Sequence, residues 1–122
     1  MTFTSRQDAL DIDNEIPWDQ RERPATLYQM FRETVDAFPD RPAISYQLLS
    51  GATDPSQTMT WQQFHEQVCR AANLFRSLKI KEDDVVALVM PNSLETAVAT
   101  IGAAIAGIVN PINPLLEPEQ IG

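Results

Sequence analysis

Apolar residues change their spacing several times along the chain, and each change marks an element. Leu27, Met30, Phe31, Thr34, Val35 and Phe38 recur at helical spacing. Thr26 and Gln29, three apart, have capping-box spacing: the Thr hydroxyl accepts from the Gln29 N–H, and the Gln29 side chain reaches back. Pro39 disfavours a helical Phe38, so this helix is expected to stop there. In "PAISYQLL", Ile44, Tyr46 and Leu48 alternate with Ala43, Ser45 and Gln47, as in a half-buried strand. "SGATDPSQ" follows as a surface loop, then a short extended "TM". Thr60 and Gln63 form a second capping box. Beyond it, Trp61, Phe64, Val68, Ala71, Phe75 and Leu78 mark one apolar helix face, while Gln62, Gln63, Glu66, Arg70, Asn73 and Arg76 mostly face water.

The pattern then turns continuous. "VVALVM", Val85–Met90, is bounded by charge on one side and Pro91 on the other, which predicts a strand buried on both faces. Asn92 or Ser93 can cap the next helix, with Glu95 in its first turn, where the helix dipole favours an anion. That helix, about Leu94 to Ala106, is apolar almost all round, and Gly102 lets a neighbour approach closely. Gly107 is expected to end it in the left-handed conformation common at helix C-termini. "IVNPIN" follows as another short strand. Strand, helix and strand within this length make a βαβ unit with parallel strands and a right-handed crossover. "LLEPEQIG" begins a further helix, with Pro118 and Glu119 suited to its first turn. One isolated turn is not stable, so the chain reads as the N-terminal piece of a longer protein.

The first 23 residues read differently: "MTFTSRQDALDIDNEIPWDQRER" is polar and charged, without a sustained period, and is expected to be an arm, residues 1–23. The remaining 24–122 form the structured part. The whole chain has 122 residues, 43% of them hydrophobic, so it is not disordered throughout. Nine Lys and Arg against 17 Asp and Glu give a formal charge of -8. Nucleic-acid binding and docking on anionic lipid both need a basic surface, so neither is expected. The uncharged run Ala97–Val109 is shorter than the roughly 20 residues of a spanning helix, and no basic-then-apolar leader opens the chain. The single cysteine, Cys69, cannot form an internal disulfide, which fits a reducing, cytoplasmic setting.

Three stretches carry a resemblance. "MTWQQFHEQVCRAANLF" resembles a family element in which a strand turns into a long amphipathic helix, here through Thr60, Trp61, Gln63 and Phe64. "DDVVALVMPNSLETAVATIGAAIAGIVNPINPLLEPEQI" resembles its most specific run through Pro91, Asn92, Ser93, Glu95, Gly102, Ala106, Gly107, Pro111, Asn113 and Pro114. "LYQMFRETVDAFPDRPAISY" resembles its opening helix and strand. The family is the AMP-forming acyl-CoA synthetases of the adenylate-forming superfamily, and the resemblance spans nearly all of Thr26–Gly122. Two positions depart from the pattern: Lys81-Glu82-Asp83-Asp84 stands where a Gly usually precedes the Asp, and Ile108 where Ala is frequent.

The resemblance implies an α/β fold, the N-terminal portion of the large domain of an adenylate-forming enzyme, with a β-α-β crossover and parallel strands packed by helices. It implies a parent enzyme that activates a carboxylic acid, in a fatty-acyl or aryl sense, as acyl-AMP and transfers it to CoA. It also implies ATP, Mg²⁺ and CoA as cofactors of that parent. Asn113-Pro114 leans toward CoA ligases rather than peptide-synthetase domains, which tend to have Asp at the first position. Two other readings remain open: a stand-alone interaction module that swaps its terminal helix, and part of an adenylation domain that loads a carrier protein.

The chemistry-bearing motifs of such an enzyme are not found in this stretch, so no catalytic, cofactor-binding or metal-binding residue is assigned to it. Gly102 and Gly107 have the outer spacing of a phosphate loop, but Ile108-Val109 replaces Lys-Ser/Thr, and helix interior is the better reading. His65 and Cys69 lie one helical turn apart; zinc takes four ligands, and no other Cys or His is present, so the flank of a helix is expected. Glu82, Asp83 and Asp84 read as a solvated loop rather than a cation site. The expected partners are the remainder of the parent enzyme and a carboxylic acid. The oily segment, left uncovered, should drive self-association.

Overall fold

The computed structural model describes residues 5–49, 51–117 and 119. Helix α1 spans Arg6–Glu15 and α2 spans Leu27–Ala37; strands β1, Pro42–Gln47, and β2, Ser56–Thr60, follow, then α3, Trp61–Ser77. Strand β3, Val85–Val89, helix α4, Leu94–Ala106, and strand β4, Ile108–Ile112, complete the order. The α/β class and the βαβ unit stand as expected: β3 and β4 are parallel, with Val85 beside Ile108 and Val89 beside Ile112. The helix expected from Pro118 lies outside the described residues except for Glu119.

α2 and α3 begin where their caps dictate. The Thr26 hydroxyl accepts from the Gln29 N–H at 3.1 Å, but Gln29 Oε1 accepts from the Ala25 N–H, one residue outside the expected partner. The second box is reciprocal: Thr60 Oγ1 accepts from the Gln63 N–H at 3.3 Å, and Gln63 Oε1 accepts from the Thr60 N–H at 3.0 Å. Ser93 caps α4, accepting from the Thr96 N–H at 3.1 Å.

The core gathers around α3. Phe31 of α2 meets Phe64 edge-on at 5.4 Å between ring centroids and Trp61 at 5.7 Å, the T-shaped geometry that ring quadrupoles favour. Val68 is fully buried beneath them, and Ile44, Met59, Ala97 and Ile101 close the cluster from the strands and α4. At the α3–α4 contact, a Cβ on Gly102 would stand 2.6 Å from the Cβ of Ala71. That distance explains the glycine: the two helices touch backbone to side chain.

The structure extends or corrects four sequence readings. First, residues 1–23 include a helix, α1: Ser5 Oγ accepts from the Asp8 N–H at 3.2 Å, and the Asp8 carboxylate accepts from the Ser5 N–H at 2.9 Å. α1 buries no residue, which is why no apolar period announces it. Arg21 closes its far end, donating to the carbonyls of Asp13 at 2.9 Å and Ile16 at 3.0 Å. Second, β2 is longer than "TM" and pairs antiparallel with β1, with Ser45 opposite Thr58 and their hydroxyls 2.7 Å apart.

Third, β3 is covered on one face only. Val86 and Leu88 are half-buried, while Val85 and Val89, on the alternate face, are 57% and 51% exposed. Fourth, Gly107 is extended, not left-handed, at φ -164°. Its need for glycine is close approach, since a Cβ there would lie 2.6 Å from Lys81 O and 2.7 Å from Asp84 O. Among the described residues the left-handed one is Lys79, φ 67°, after α3. Its N–H donates to Arg76 O at 2.9 Å and the Ile80 N–H to Phe75 O at 3.1 Å, the two bonds of a Schellman ending.

Candidate functional site

In open parallel α/β sheets, ligands bind beyond the carboxyl ends of the strands. Here those ends form a shallow cleft of about 350 Å³ lined by Leu88, Met90, Asn92, Thr96, Ile112 and Asn113, among others. Local chemistry shapes it. Pro91 ends β3, Ser93 starts α4, and the Thr96 hydroxyl donates to Pro91 O, tying the helix to the strand end. Asn113 accepts from the Leu115 N–H at 3.0 Å through its side-chain oxygen, which turns the chain away from β4. A second groove, about 500 Å³, runs between β1 and α4 and shares Asn92 and Thr96 with the first.

Glu95 stands exposed at the start of α4. Its own backbone N–H, then the Ser93 hydroxyl, holds its carboxyl below the ordinary value. An anion is therefore already present at this helix end, which makes the mouth neutral-to-acidic rather than a cradle for phosphate.

The other candidates separate. His65 Nε2 and Cys69 Sγ lie 3.4 Å apart on α3, with the His65 ring against Phe31 and Tyr28 at 5.7 and 6.1 Å. Among the described residues no group of three or more His, Cys, Asp or Glu can hold a metal ion. Cys69 also lines a cleft of about 560 Å³ with Tyr28, Asn73 and Arg76. Arg76, read from the sequence as facing water, reaches Ile105 O at 3.4 Å across the α3–α4 seam. Nothing in the period of α3 signals that reach, because its partner lies on another helix. Asp84 accepts from the Lys81 N–H at 2.8 Å and so builds a turn.

The Gly102–Gly107 stretch falls in α4 up to Ala106, with its amides in helical bonding and Gly102 buried against α3. Backbone donors engaged in this way cannot cradle phosphates. The Gly102–Gly107 stretch is therefore helix and not a phosphate loop. No described helix is long and apolar enough to cross a membrane.

Comparison with known proteins gives the wider frame. The acetyl-coenzyme A synthetase of Yersinia pseudotuberculosis serotype O:1b (strain IP 31758) is 46% identical over 61 residues, 48% of this chain and 9% of that protein. The marinolic acid–CoA ligase of Pseudoalteromonas sp. (strain SANK 73390) is 40% identical over 79 residues, 65% of this chain and 12% of that protein. The chain thus spans only a small part of the length of the curated relatives it matches. Among solved structures, Mycobacterium tuberculosis fatty acyl CoA synthetase superposes with a TM-score of 0.62 at 31% identity, covering 75% of this chain and 17% of that one. A family model described as "AMP-binding enzyme" matches residues 31–122. With three quarters of its length under that model and the βαβ unit in place, the chain belongs to the AMP-binding enzyme family of adenylate-forming proteins.

Proposed function

We propose that this chain is the N-terminal scaffold segment of an ATP-dependent acyl-CoA synthetase and is inactive by itself. The parent enzyme joins a carboxylic, fatty-type acid to the α-phosphate of ATP, releasing pyrophosphate. It then passes the acyl group to the thiol of CoA, releasing AMP. The observation that carries this reading is the family match across residues 31–122, which contains a complete βαβ unit. Asn113-Pro114 and the similarity to two named CoA ligases support CoA as the acceptor rather than a carrier protein. In this reading the chain contributes packing and the strand-end mouth, and the groups that hold ATP and Mg²⁺ belong to the rest of the enzyme. Its working place is the cytoplasm.

The test is pyrophosphate release by the full-length parent across a panel of short, medium, long and aromatic acids. Acid-dependent release followed by CoA-dependent AMP formation is expected. Release that proceeds only with a carrier protein as acceptor overturns the CoA assignment. Turnover of ATP by residues 1–122 alone overturns the scaffold assignment.

A further inference from the structure

We propose that the cleft between α2, α3 and α4 is a binding site for a small carboxylate with a short apolar body. Cys69, Ala72, Asn73 and Arg76 recur at alternating steps of three and four along α3, so they form one stripe on that helix. The stripe lines a cleft of about 560 Å³, within the size range of small-molecule sites. Ala104 and Ile105 of α4, both half-buried, supply an apolar wall. Thr26 and Tyr28, at the start of α2, border the other side, and the Tyr28 ring lies 6.1 Å from that of His65.

Charge identifies the ligand. The chain carries a formal charge of -8, yet no Asp or Glu is among the described residues that line this cleft. Its charged group is the Arg76 guanidinium, and the partner the structure gives it is neutral: Ile105 O, at 3.4 Å. The planar fork of a guanidinium matches both oxygens of a carboxylate, and one bond to a carbonyl leaves most of that fork for a ligand. Asn73 adds an amide NH₂. The Thr26 hydroxyl already accepts from the Gln29 N–H, and its proton is left to donate. A phosphate needs polar partners all round, whereas Ala72, Ala104 and Ile105 face the same space. That mixture suits a carboxylate with hydrocarbon behind it. The strand-end cleft lies toward the other end of α4 and shares no lining residue with this one.

The experiment uses the full-length parent, with Cys69 as a reporter inside the cleft rather than as a group that holds the ligand. Iodoacetate is a carboxylate and iodoacetamide its neutral counterpart. Both alkylate the Cys69 thiolate and release iodide, so the thiolate fraction cancels in the ratio of their rates. Rates at Cys69 are followed by peptide mass spectrometry, in the native protein and in urea. The iodoacetate-to-iodoacetamide ratio is expected to be at least about five-fold higher in the native protein than in urea. Butyrate should suppress that preference saturably, and butyramide should not. Arg76→Gln and Asn73→Asp should each bring the ratio to within about two-fold of its urea value. The iodoacetamide rate should stay at its native level in both, which reports an intact fold; where Arg76→Gln raises that rate to the urea value, Asn73→Asp decides. Arg76→Lys should keep part of the preference. A native ratio no higher than in urea, a ratio indifferent to both substitutions, or a Cys69 that neither reagent reaches in the native parent overturns the proposal. Suppression by inorganic phosphate as strong as by butyrate overturns the stated ligand. No turnover is measured, so the site can fail while the functional reading stands.

Discussion

Lys79 holds a left-handed backbone that a Cβ makes costly, at φ 67°. Lys79→Gly removes that cost and is expected to raise unfolding stability by about 1 kcal/mol, read from a denaturant midpoint. Gly102 gives the opposite sign. Gly→Ala in a helix gains about 1 kcal/mol in propensity, but here the new methyl meets Ala71 Cβ at 2.6 Å. Overpacking of that kind costs about 1–3 kcal/mol, so Gly102→Ala should lower the thermal midpoint, and pairing it with Ala71→Gly should recover part of the loss. Glu95 adds a pH dependence. Its folded pKa lies below 4.5, so its contribution is complete above the unfolded value and fades as pH falls through the folded one. Glu95→Gln should therefore lower stability at neutral pH, and the gap to the unsubstituted chain should close in acid, as followed by urea titrations at several pH values. The sequence shows that Gly102 and Gly107 are special, but not why. Their reasons are Ala71 on another helix and the carbonyls of Lys81 and Asp84, contacts between positions far apart in the chain.

At the scale of elements, caps outweigh surface charge. The Arg32–Asp36 pair is 3.0 Å apart but both side chains are more than half exposed, so solvent screens it and it adds little to stability. The reciprocal box at Thr60 satisfies two backbone donors at the start of the longest helix. Thr60→Ala is expected to cost about 1 kcal/mol, seen as a lower midpoint and a loss of helical circular dichroism. The legible elements were those whose determinants are local. α2, α3 and α4 carry their own caps and periods, and the continuous runs of β3 and β4 carry their type. Only "TM" is legible in β2, because Ser56, Gln57 and Thr58 are polar and become a strand through their pairing with β1. α1 carries no legible apolar period because it buries nothing, although Ser5 and Asp8 stand at box spacing.

At the largest scale, the described residues form two small two-stranded sheets joined by the α3–α4 contact rather than one closed sheet. The family and the parallel crossover were readable from a specific run of residues. The one-sided cover of β3 was not, because a continuous apolar strand looks the same whether its second layer is present or supplied elsewhere. The strand-end cleft was equally hidden: Asn92 and Asn113 are far apart in sequence and meet only through the pairing of β3 with β4. The turn before β3 has a last consequence. Residues 81–84 look like a spare, acidic surface link, yet Gly107 is wedged against two of its carbonyls, and Asp84 O accepts the first N–H of β4 at 2.9 Å. A peptide tag spliced into this turn should therefore unseat both strands and collapse soluble yield, whereas the same tag between Gly51 and Pro55 should leave expression intact.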